Sequence, residues 1–563
     1  MLTQNLNRRD AGKRREREYG FTRHLPVSLS PPLLFFLFLC LCVSAVNLSC
    51  SSKPVNLRAL APAETLIYLE TNDLGKTLSA ITENKNFGQL AKNKPDLSAL
   101  KGIQLAVAVT GFETVQKSES GETSEEGSGA VLDLKPRFVA IAETHAWNYQ
   151  ALSFTENKLG EFINQAFGGG VVLDTIDKNG GRWYTWSAED GPKAFAFVQG
   201  SQVYFGNDEP AIEKCLAVKR GEAESLSAGA KLPEAAENTL ASGYISPDGV
   251  AQVSNIAAIG LAKRAGDDEE VQKFIAGLLP QLLRNTAREV SWTASKTEQW
   301  VEDRITIAAN PDVSSVFKET LVVSGNASEN LALLLPADVF SATRYDLKDP
   351  QIAWRSVLLT AAQQSGTANG NVLIAYSGSL FEPYGVEDGE AFLSAVGPEI
   401  VTAKFDAEGE DPVVIVTVKD AGKVKGSIVK EVNFTKQPEK QGDADIWKSD
   451  DGDIAAAFFE NRLILGDAES VMKCLQTRAG GQNFSGSPFY QQFSEIKAVA
   501  VTYGREIESA GKIVDVIGDR KSENENLPVI YLTETRFNEK AIERKTVSDF
   551  GLIGSIIEMI GGE

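Results

Sequence analysis

One stretch of the sequence occurs twice: Gly206–Leu216 reads GNDEPAIEKCL, and Gly466–Leu475 reads GDAESVMKCL. Each copy carries a glycine, an acidic turn and then a short helical segment, in which Cys215 or Cys474 shares the apolar face with a leucine. Long-range self-similarity indicates the number of structural units better than chain length does. The pair therefore predicts a duplicated module.

Three further pairs of segments repeat around this stretch in the same order. They are LAPAE at Leu60–Glu64 with LLPAD at Leu334–Asp338, WSAEDG at Trp186–Gly191 with WKSDDG at Trp447–Gly452, and Val301–Ile305 with Ile542–Thr546. The offset falls steadily, from 274 at Pro62 and Pro336 to 241 at Glu302 and Glu543. We predict two tandem, divergent repeats over residues 61–325 and 330–563. A polar insert at 114–129, expected to be disordered, occurs in the first repeat only.

Short strand patterns alternate with amphipathic helices in each repeat. Residues 103–109 alternate between apolar and small or polar side chains, residues 413–418 form a short apolar run, and residues 159–167 have helical spacing. Hairpin spacings dominate, so we predict an α+β fold with antiparallel or mixed sheets and helices packed on one face. The closing segment, residues 550–560, has helical spacing and is expected to pack on its own repeat.

The first 49 residues have the organisation of an export signal. A basic region precedes the apolar run Leu33–Val46, which as a helix rises about 21 Å, short of the roughly 30 Å of a bilayer core. This predicts a signal peptide over 1–49. The following Ser49 and Cys50 resemble bacterial lipoprotein signals. The resemblance implies that Cys50 is lipidated and that residues 50–60 form a tether. It also implies a membrane-anchored location in the cell envelope, at the outer membrane or periplasmic face. Ordinary secretion and an uncleaved signal anchor are the alternatives.

Composition excludes several classes of function. The chain has 56 Lys and Arg against 76 Asp and Glu, a net charge of -20, and such a surface repels phosphate backbones, so we expect no nucleic-acid partner. Only two histidines are present, and His24 lies in the predicted signal. That count excludes a multi-histidine metal centre, and His145 has no recognisable nucleophile motif beside it. We predict no catalytic residues, no metal and no cofactor.

Several motifs resemble functional sites without meeting their requirements. Glu70 stands where a phosphate-binding loop ending at Gly75-Lys76-Thr77 needs its leading glycine, so a helix start is predicted there. The acidic cluster at 450–453 lacks the ligand alternation of a calcium loop, which favours a hairpin turn. Cys215 and Cys474 are predicted to be buried thiols, because both lie on apolar helix stripes.

The repeated Pro-Ala-acidic start, the strand–helix pattern and the Trp-x-x-acidic-Asp-Gly hairpin resemble an uncharacterised family of bacterial exported proteins and lipoproteins, known only as a domain of unknown function (DUF3352-like). The resemblance covers residues 57–560. It implies an envelope location without a known reaction, and no site residues carry over from it.

Two functional hypotheses follow. The first is a non-enzymatic envelope lipoprotein that binds or scaffolds an envelope component, such as a lipid or a lipoprotein client, with the seam between the repeats as the default site. The second is a carboxylate-dependent hydrolase of cell-wall or surface glycans, which needs a cleft with two carboxyl groups. A weaker third is a protease inhibitor or adhesin that uses the loop at 114–129. An apolar groove would favour the first hypothesis.

Overall fold

A computed structural model describes residues 54–116, 132–189, 191–229, 232, 236, 238–264, 269–325, 330–407, 411–522 and 527–561. The predicted signal peptide, Cys50 and most of the insert lie outside these residues. The first three insert residues, 114–116, belong to a strand. Within the described ranges, no helix combines the length and apolar character needed to cross a membrane.

The elements up to residue 320 mix strands with helices, two of which are 18 residues long. They are β1 (Ile67–Thr71), α1 (Leu74–Thr82), α2 (Lys85–Leu90), β2 (Gln104–Gln116), β3 (Leu132–Glu143), α3 (Asn148–Ser153), a π-helical turn (Phe154–Leu159), α4 (Gly160–Ala166), β4 (Val172–Lys178), β5 (Gly181–Ser187), β6 (Lys193–Gln199), β7 (Gln202–Gly206), α5 (Glu209–Lys219), α6 (Leu226–Gly229), β8 (Thr239–Ile245), α7 (Pro247–Arg264), α8 (Glu269–Thr286), β9 (Ala287–Lys296), β10 (Val301–Ala309) and α9 (Pro311–Thr320).

The elements after residue 330 follow a similar order. They are β11 (Ser341–Asp346), α10 (Pro350–Gln364), α11 (Thr367–Tyr376), α12 (Gly389–Ala395), β12 (Val396–Lys404), β13 (Val413–Val418), α13 (Ala421–Ser427), β14 (Glu439–Gln441), β15 (Ala444–Lys448), β16 (Ile454–Phe459), β17 (Arg462–Asp467), α14 (Ala468–Arg478), α15 (Tyr490–Glu495), β18 (Ala500–Glu506), α16 (Ser509–Ile517), β19 (Val529–Phe537), β20 (Ala541–Ser548) and α17 (Gly551–Gly561).

The twenty described strands form one antiparallel sheet, which confirms the α+β class. The order across the sheet is β4-β5-β6-β7-β3-β2-β1-β8-β9-β10-β20-β19-β18-β11-β12-β13-β17-β16-β15-β14. The β10·β20 pair lies at the centre, and strands whose numbers differ by ten lie at equal distances on either side of it. β4 and β14 are the two edges.

Helices cover both faces of the sheet, so the prediction of helices on one face is wrong. In β13, Val413 and Ile415 belong to one core cluster, with α14, whereas Val414 and Val416 belong to another, with α12 and α13. A strand buried on both faces is a continuous apolar run rather than an alternating one. The continuous apolar run at 413–418 therefore already indicated a strand that is buried on both faces.

The stretch that occurs twice, at 206–216 and 466–475, has the same structural role at both places. A Cβ on Gly206 would lie 2.3 Å from a backbone oxygen of the neighbouring strand, and one on Gly466 would lie 2.2 Å from the corresponding oxygen. The carboxylates of Asp208 and Asp467 cap the N-termini of α5 and α14. Each motif therefore combines a close strand approach with a helix start.

The paired cysteines and tryptophans are core residues. Cys215 and Cys474 are free and buried, which confirms the prediction, and burial raises the pKa of each thiol to about 12. Trp186 on β5 and Trp447 on β15 are also buried. Trp186 and Trp447 lie on strands whose numbers differ by ten. Cys215 and Cys474 lie on the helices that follow β7 and β17, whose numbers also differ by ten.

The closing helices each pack across the centre of the sheet. Phe550 and Ile557, immediately before and within α17, belong to the core cluster that contains Leu78 of α1. Phe317 of α9 packs in a cluster with Ala353 of α10. α17 also packs on α16 of its own half, as predicted, because Ile513 belongs to the same cluster and Lys512 pairs with Glu558.

Candidate functional site: an apolar cavity beside the sheet

An apolar cavity of about 450 Å³ lies on one face of the sheet. Its walls come from β11, β12, β13 and the end of β19, from helices α10 and α12, and from the short turns between α11 and α12. The described side chains that line it are aliphatic, aromatic or hydroxyl-bearing, and none of them is charged. Such a wall is suited to an uncharged or apolar group.

Local sequence explains how α10 forms one wall. The Asp349 carboxylate accepts a hydrogen bond of 3.0 Å from the backbone N–H of Ile352, and Pro350 occupies the first turn. The helix then places Trp354 and Val357, three positions apart, against the cavity. The Trp354 ring meets Phe381 edge to face, with 5.0 Å between ring centroids.

Four hydroxyl-bearing residues, Tyr345, Tyr384, Thr402 and Thr535, form the polar part of the cavity wall. Burial raises the pKa of the Tyr345 and Tyr384 phenols, and the neighbouring Thr402 hydroxyl on β12 only partly offsets this. Both tyrosines are therefore neutral at physiological pH and present hydroxyls in an otherwise apolar wall.

The cavity opens onto an apolar surface. Leu380 lines the cavity and is 61% exposed, and Val357 also lines it while remaining exposed. Ile352, Leu359 and Tyr376, from α10 and α11, are further exposed apolar side chains on these two helices. Ile352 and Leu359 line a separate depression with Arg355, so the exposed apolar side chains of the cavity itself are Leu380 and Val357.

A buried arginine lies on the opposite face of the strand that supplies Tyr345. Arg344 of β11 is only 1% exposed, and its Nε donates a 2.8 Å hydrogen bond to the carbonyl oxygen of Phe493 at the end of α15. Burial lowers the pKa of Arg344, and the nearby Glu399 and Asp346 oppose that shift. Sequence reasoning missed this cluster, although a charged residue within an alternating strand was a visible signal.

The corresponding register position in β1 carries a buried carboxylate instead. Glu70 accepts hydrogen bonds from Arg58 Nε at 2.6 Å, from the Tyr68 hydroxyl at 2.9 Å and from the Ser242 hydroxyl at 2.9 Å. These partners satisfy the buried charge. Glu70, which in the sequence only interrupted a phosphate-loop motif, is thus part of a hydrogen-bonded network in the core.

A second, smaller cavity of about 280 Å³ lies at the centre of the sheet and contains carboxyl groups. Asp303, Glu506 and Glu558 contribute them, from β10, β18 and α17. Both oxygens of Asp303 are engaged, because Trp292 Nε1 donates to one and the backbone N–H of Leu552 to the other, each at 2.8 Å. Burial nevertheless raises the pKa of Asp303 to about 6. Its contacts tie β10 to the start of α17.

The raised pKa of Asp303 predicts a defined pH dependence of stability. The folded protein binds this proton more tightly than the unfolded chain, so the stabilisation is complete at acid pH and is lost as the pH rises from about 4 to about 6. We expect the unfolding free energy of wild type, relative to Asp303→Asn, to fall by about 2–3 kcal/mol between about pH 4 and pH 7. Denaturant titrations at several pH values measure it, and a constant difference would contradict the assignment.

The motifs singled out in the sequence are mostly structural. The segment before Thr77 begins α1, with Asp73 as its cap, and residues 449–454 form the turn between β15 and β16, so the helix start and the hairpin turn are confirmed. His145 has a left-handed backbone, and its N–H donates to the buried Glu143 at 2.9 Å. In the described part of the chain, no three potential metal ligands cluster.

No protein-family model, curated protein or solved structure matches this chain. The resemblance to the exported family of unknown function therefore stays a prediction.

Proposed function

We propose that the protein is a non-enzymatic envelope lipoprotein that binds the acyl chain of a lipid or lipoprotein in the apolar cavity beside α10. The observation that carries this proposal is an uncharged, aromatic-rich cavity of about 450 Å³ whose lining includes the exposed side chains of Leu380 and Val357. Its size falls within the roughly 300–1,000 Å³ typical of ligand pockets. Because burying an unpaired charge is costly, a charged head group would remain outside.

The hydroxyl cluster refines the class of ligand. Tyr345, Thr402 and Tyr384 are the adjoining hydroxyl groups in the wall. An ester or amide oxygen at the top of an acyl chain would suit these donors, whereas a plain hydrocarbon would leave them unused. A lipid with one ester close to its chain is therefore the favoured occupant.

We infer that the chain arose by tandem duplication, which accounts for an enlarged sheet with a cavity in one unit. The strand order supports this, since strands ten numbers apart occupy equivalent places around the β10·β20 pair. Envelope attachment through Cys50 completes the proposal and would hold the cavity near a membrane.

A carboxylate-dependent glycan hydrolase is the second candidate. The central cavity favours it by placing Asp303, whose pKa is raised, with Glu506 and Glu558. The engagement of both Asp303 oxygens by Trp292 and Leu552 favours a structural role instead. Release of soluble fragments from cell-wall glycan by wild type but not by Asp303→Asn would support this candidate.

Titration with a naturally fluorescent polyene fatty acid tests the lipid proposal. We expect saturable binding by wild type, and binding at least about tenfold weaker for Leu380→Arg, which places a charge at the opening. Val414→Trp, which fills the cavity from β13, should have the same effect. Leu261→Arg, an exposed apolar position on α7, is the matched control and should bind as wild type does.

Two results would count against the lipid proposal. One is the absence of saturable binding to the wild-type protein. The other is equal binding by wild type, Leu380→Arg and Val414→Trp, which would place the fatty acid elsewhere. Circular dichroism of each variant separates loss of binding from loss of folding.

A further inference from the structure

The two edges of the sheet are built differently. At one edge, β14 spans only Glu439–Gln441 and carries two charged side chains. At the other, β4 spans Val172–Lys178, and all seven residues are exposed. Among the described strands, β4 pairs only with β5. An exposed edge of this length presents unpaired backbone groups, and natural proteins usually shorten or cover such edges.

The side chains of β4 alternate between its two faces. Val172, Asp174, Ile176 and Lys178 share one face. Val172 is 68% exposed and Ile176 is 57% exposed. This face therefore combines uncovered apolar groups with one acidic and one basic side chain.

We propose that β4 pairs antiparallel with β4 of a second copy of this chain, centred on Ile176. In this register Ile176 lies opposite the partner's Ile176, and Asp174 lies opposite the partner's Lys178. Twofold symmetry forms the Asp–Lys pair twice, on either side of the apolar pair. The strand is thus complementary in charge to itself.

Neighbouring registers lack this complementarity. Centring the pair between Thr175 and Ile176 would place Asp174 opposite the partner's Asp177, and like charges directly opposite are destabilising. Centring it on Thr175 would place Asp174 opposite the partner's Ile176 and leave the lysine without a carboxylate. The Ile176-centred register alone joins an apolar pair with two opposite-charge pairs.

The charged groups around β4 are already positioned for this pairing. Lys178 Nζ lies 3.2 Å from Glu213 of α5, which holds the lysine over this face of the sheet. On the other face, Arg182 binds Asp177 at 2.8 Å and holds the pKa of that carboxyl below its usual range. In the Ile176-centred register Asp177 lies opposite the partner's Thr175 and so meets no like charge.

The strength of the dimer is limited by its size. One pair of seven-residue strands buries less than the roughly 1,200 Å² of a standard stable interface. We expect a concentration-dependent dimer that forms in the micromolar range. This strand pairing does not involve the apolar cavity. An experiment that disproves one of the two proposals therefore leaves the other unaffected.

Charge reversal tests the register. The full chain is followed by sedimentation equilibrium, with density-matched detergent when the anchor is present. Asp174→Lys or Lys178→Asp alone should weaken dimerisation about tenfold or more, because each creates two like-charge pairs. The double variant should restore the wild-type affinity. Lys440→Asp on β14 is the matched control at the opposite edge and should change nothing.

Cross-linking gives an independent measurement. Ile176→Cys should form a disulfide-linked dimer under mild oxidation, because the two positions face each other, whereas Thr175→Cys should not. A wild-type protein that stays monomeric at the highest soluble concentration would overturn the proposal. It would also be overturned if the single and double charge variants associated equally well.

Discussion

Arg344→Met is expected to lower the free energy of unfolding by about 3–5 kcal/mol. The variant leaves the buried carboxylates of Asp346 and Glu399 without their nearby cation. It also removes the donor to the carbonyl oxygen of Phe493. Thermal and denaturant unfolding measure the loss.

Two further variants separate these causes. Arg304→Met, at an arginine whose side chain is largely exposed and pairs with Glu302, should change stability by less than about 1 kcal/mol. Adding Glu399→Gln to Arg344→Met should recover part of the loss, because it removes one of the uncompensated charges. Equal losses at Arg344 and Arg304 would show that the buried cluster contributes little.

Trp186→Ala and Trp447→Ala should each destabilise the protein by about 3–5 kcal/mol, since both create large core cavities. Trp186 is 2% exposed and stacks on Tyr184, with 5.7 Å between centroids. Trp447 packs against Phe434, and the Lys425 ammonium lies 4.3 Å above its ring. Denaturant unfolding followed by far-UV circular dichroism measures both losses.

Trp147 provides the matched control for this pair. It is 67% exposed, so Trp147→Ala should change stability by no more than about 0.5 kcal/mol. The duplication proposal requires Trp186 and Trp447 to have comparable effects. A large loss at one and none at the other would argue that the two positions are not equivalent.

Local patterns in the sequence were enough to predict several strands and helices. The alternating stretch at 103–109, the apolar run at 413–418 and the helical spacing at 159–167 all correspond to elements of the predicted type. These features depend on alternation, helical spacing and glycine positions within a few residues of each other. Their physical cause is local, so they can be recognised without knowing the rest of the chain.

The arrangement of the sheet could not be predicted in the same way. The central pair joins β10 to β20, and Arg304 lies opposite Lys545 there. Such a pairing depends on packing between segments far apart in the sequence, and nothing in either strand specifies its partner. The same holds for α17, whose apolar stripe was recognised while its place in a core shared with Leu78 was not.

The apolar cavity could not be predicted from the sequence either, because the residues that line it are of the same types as those of an ordinary core. Trp354, Val414 and Phe392 are residue types, at spacings, that normally form a close-packed core. A cavity arises only where such side chains do not fill the space between them, and this depends on the whole fold. Arg344 is different, since a charged residue in an alternating strand could have been recognised as a buried ion. Its partners, at the end of α15 and on β12, lie too far away in the sequence to be inferred.

The placement of α17 has a consequence for biosynthesis. Phe550 and Ile557 complete a core cluster that begins with Leu74, so that core cannot close until almost the whole chain has left the ribosome. A domain that completes itself early would fold before transport and block a channel that accepts extended chains. For the envelope location that we propose, delayed closure would keep the polypeptide extended until it has crossed the membrane.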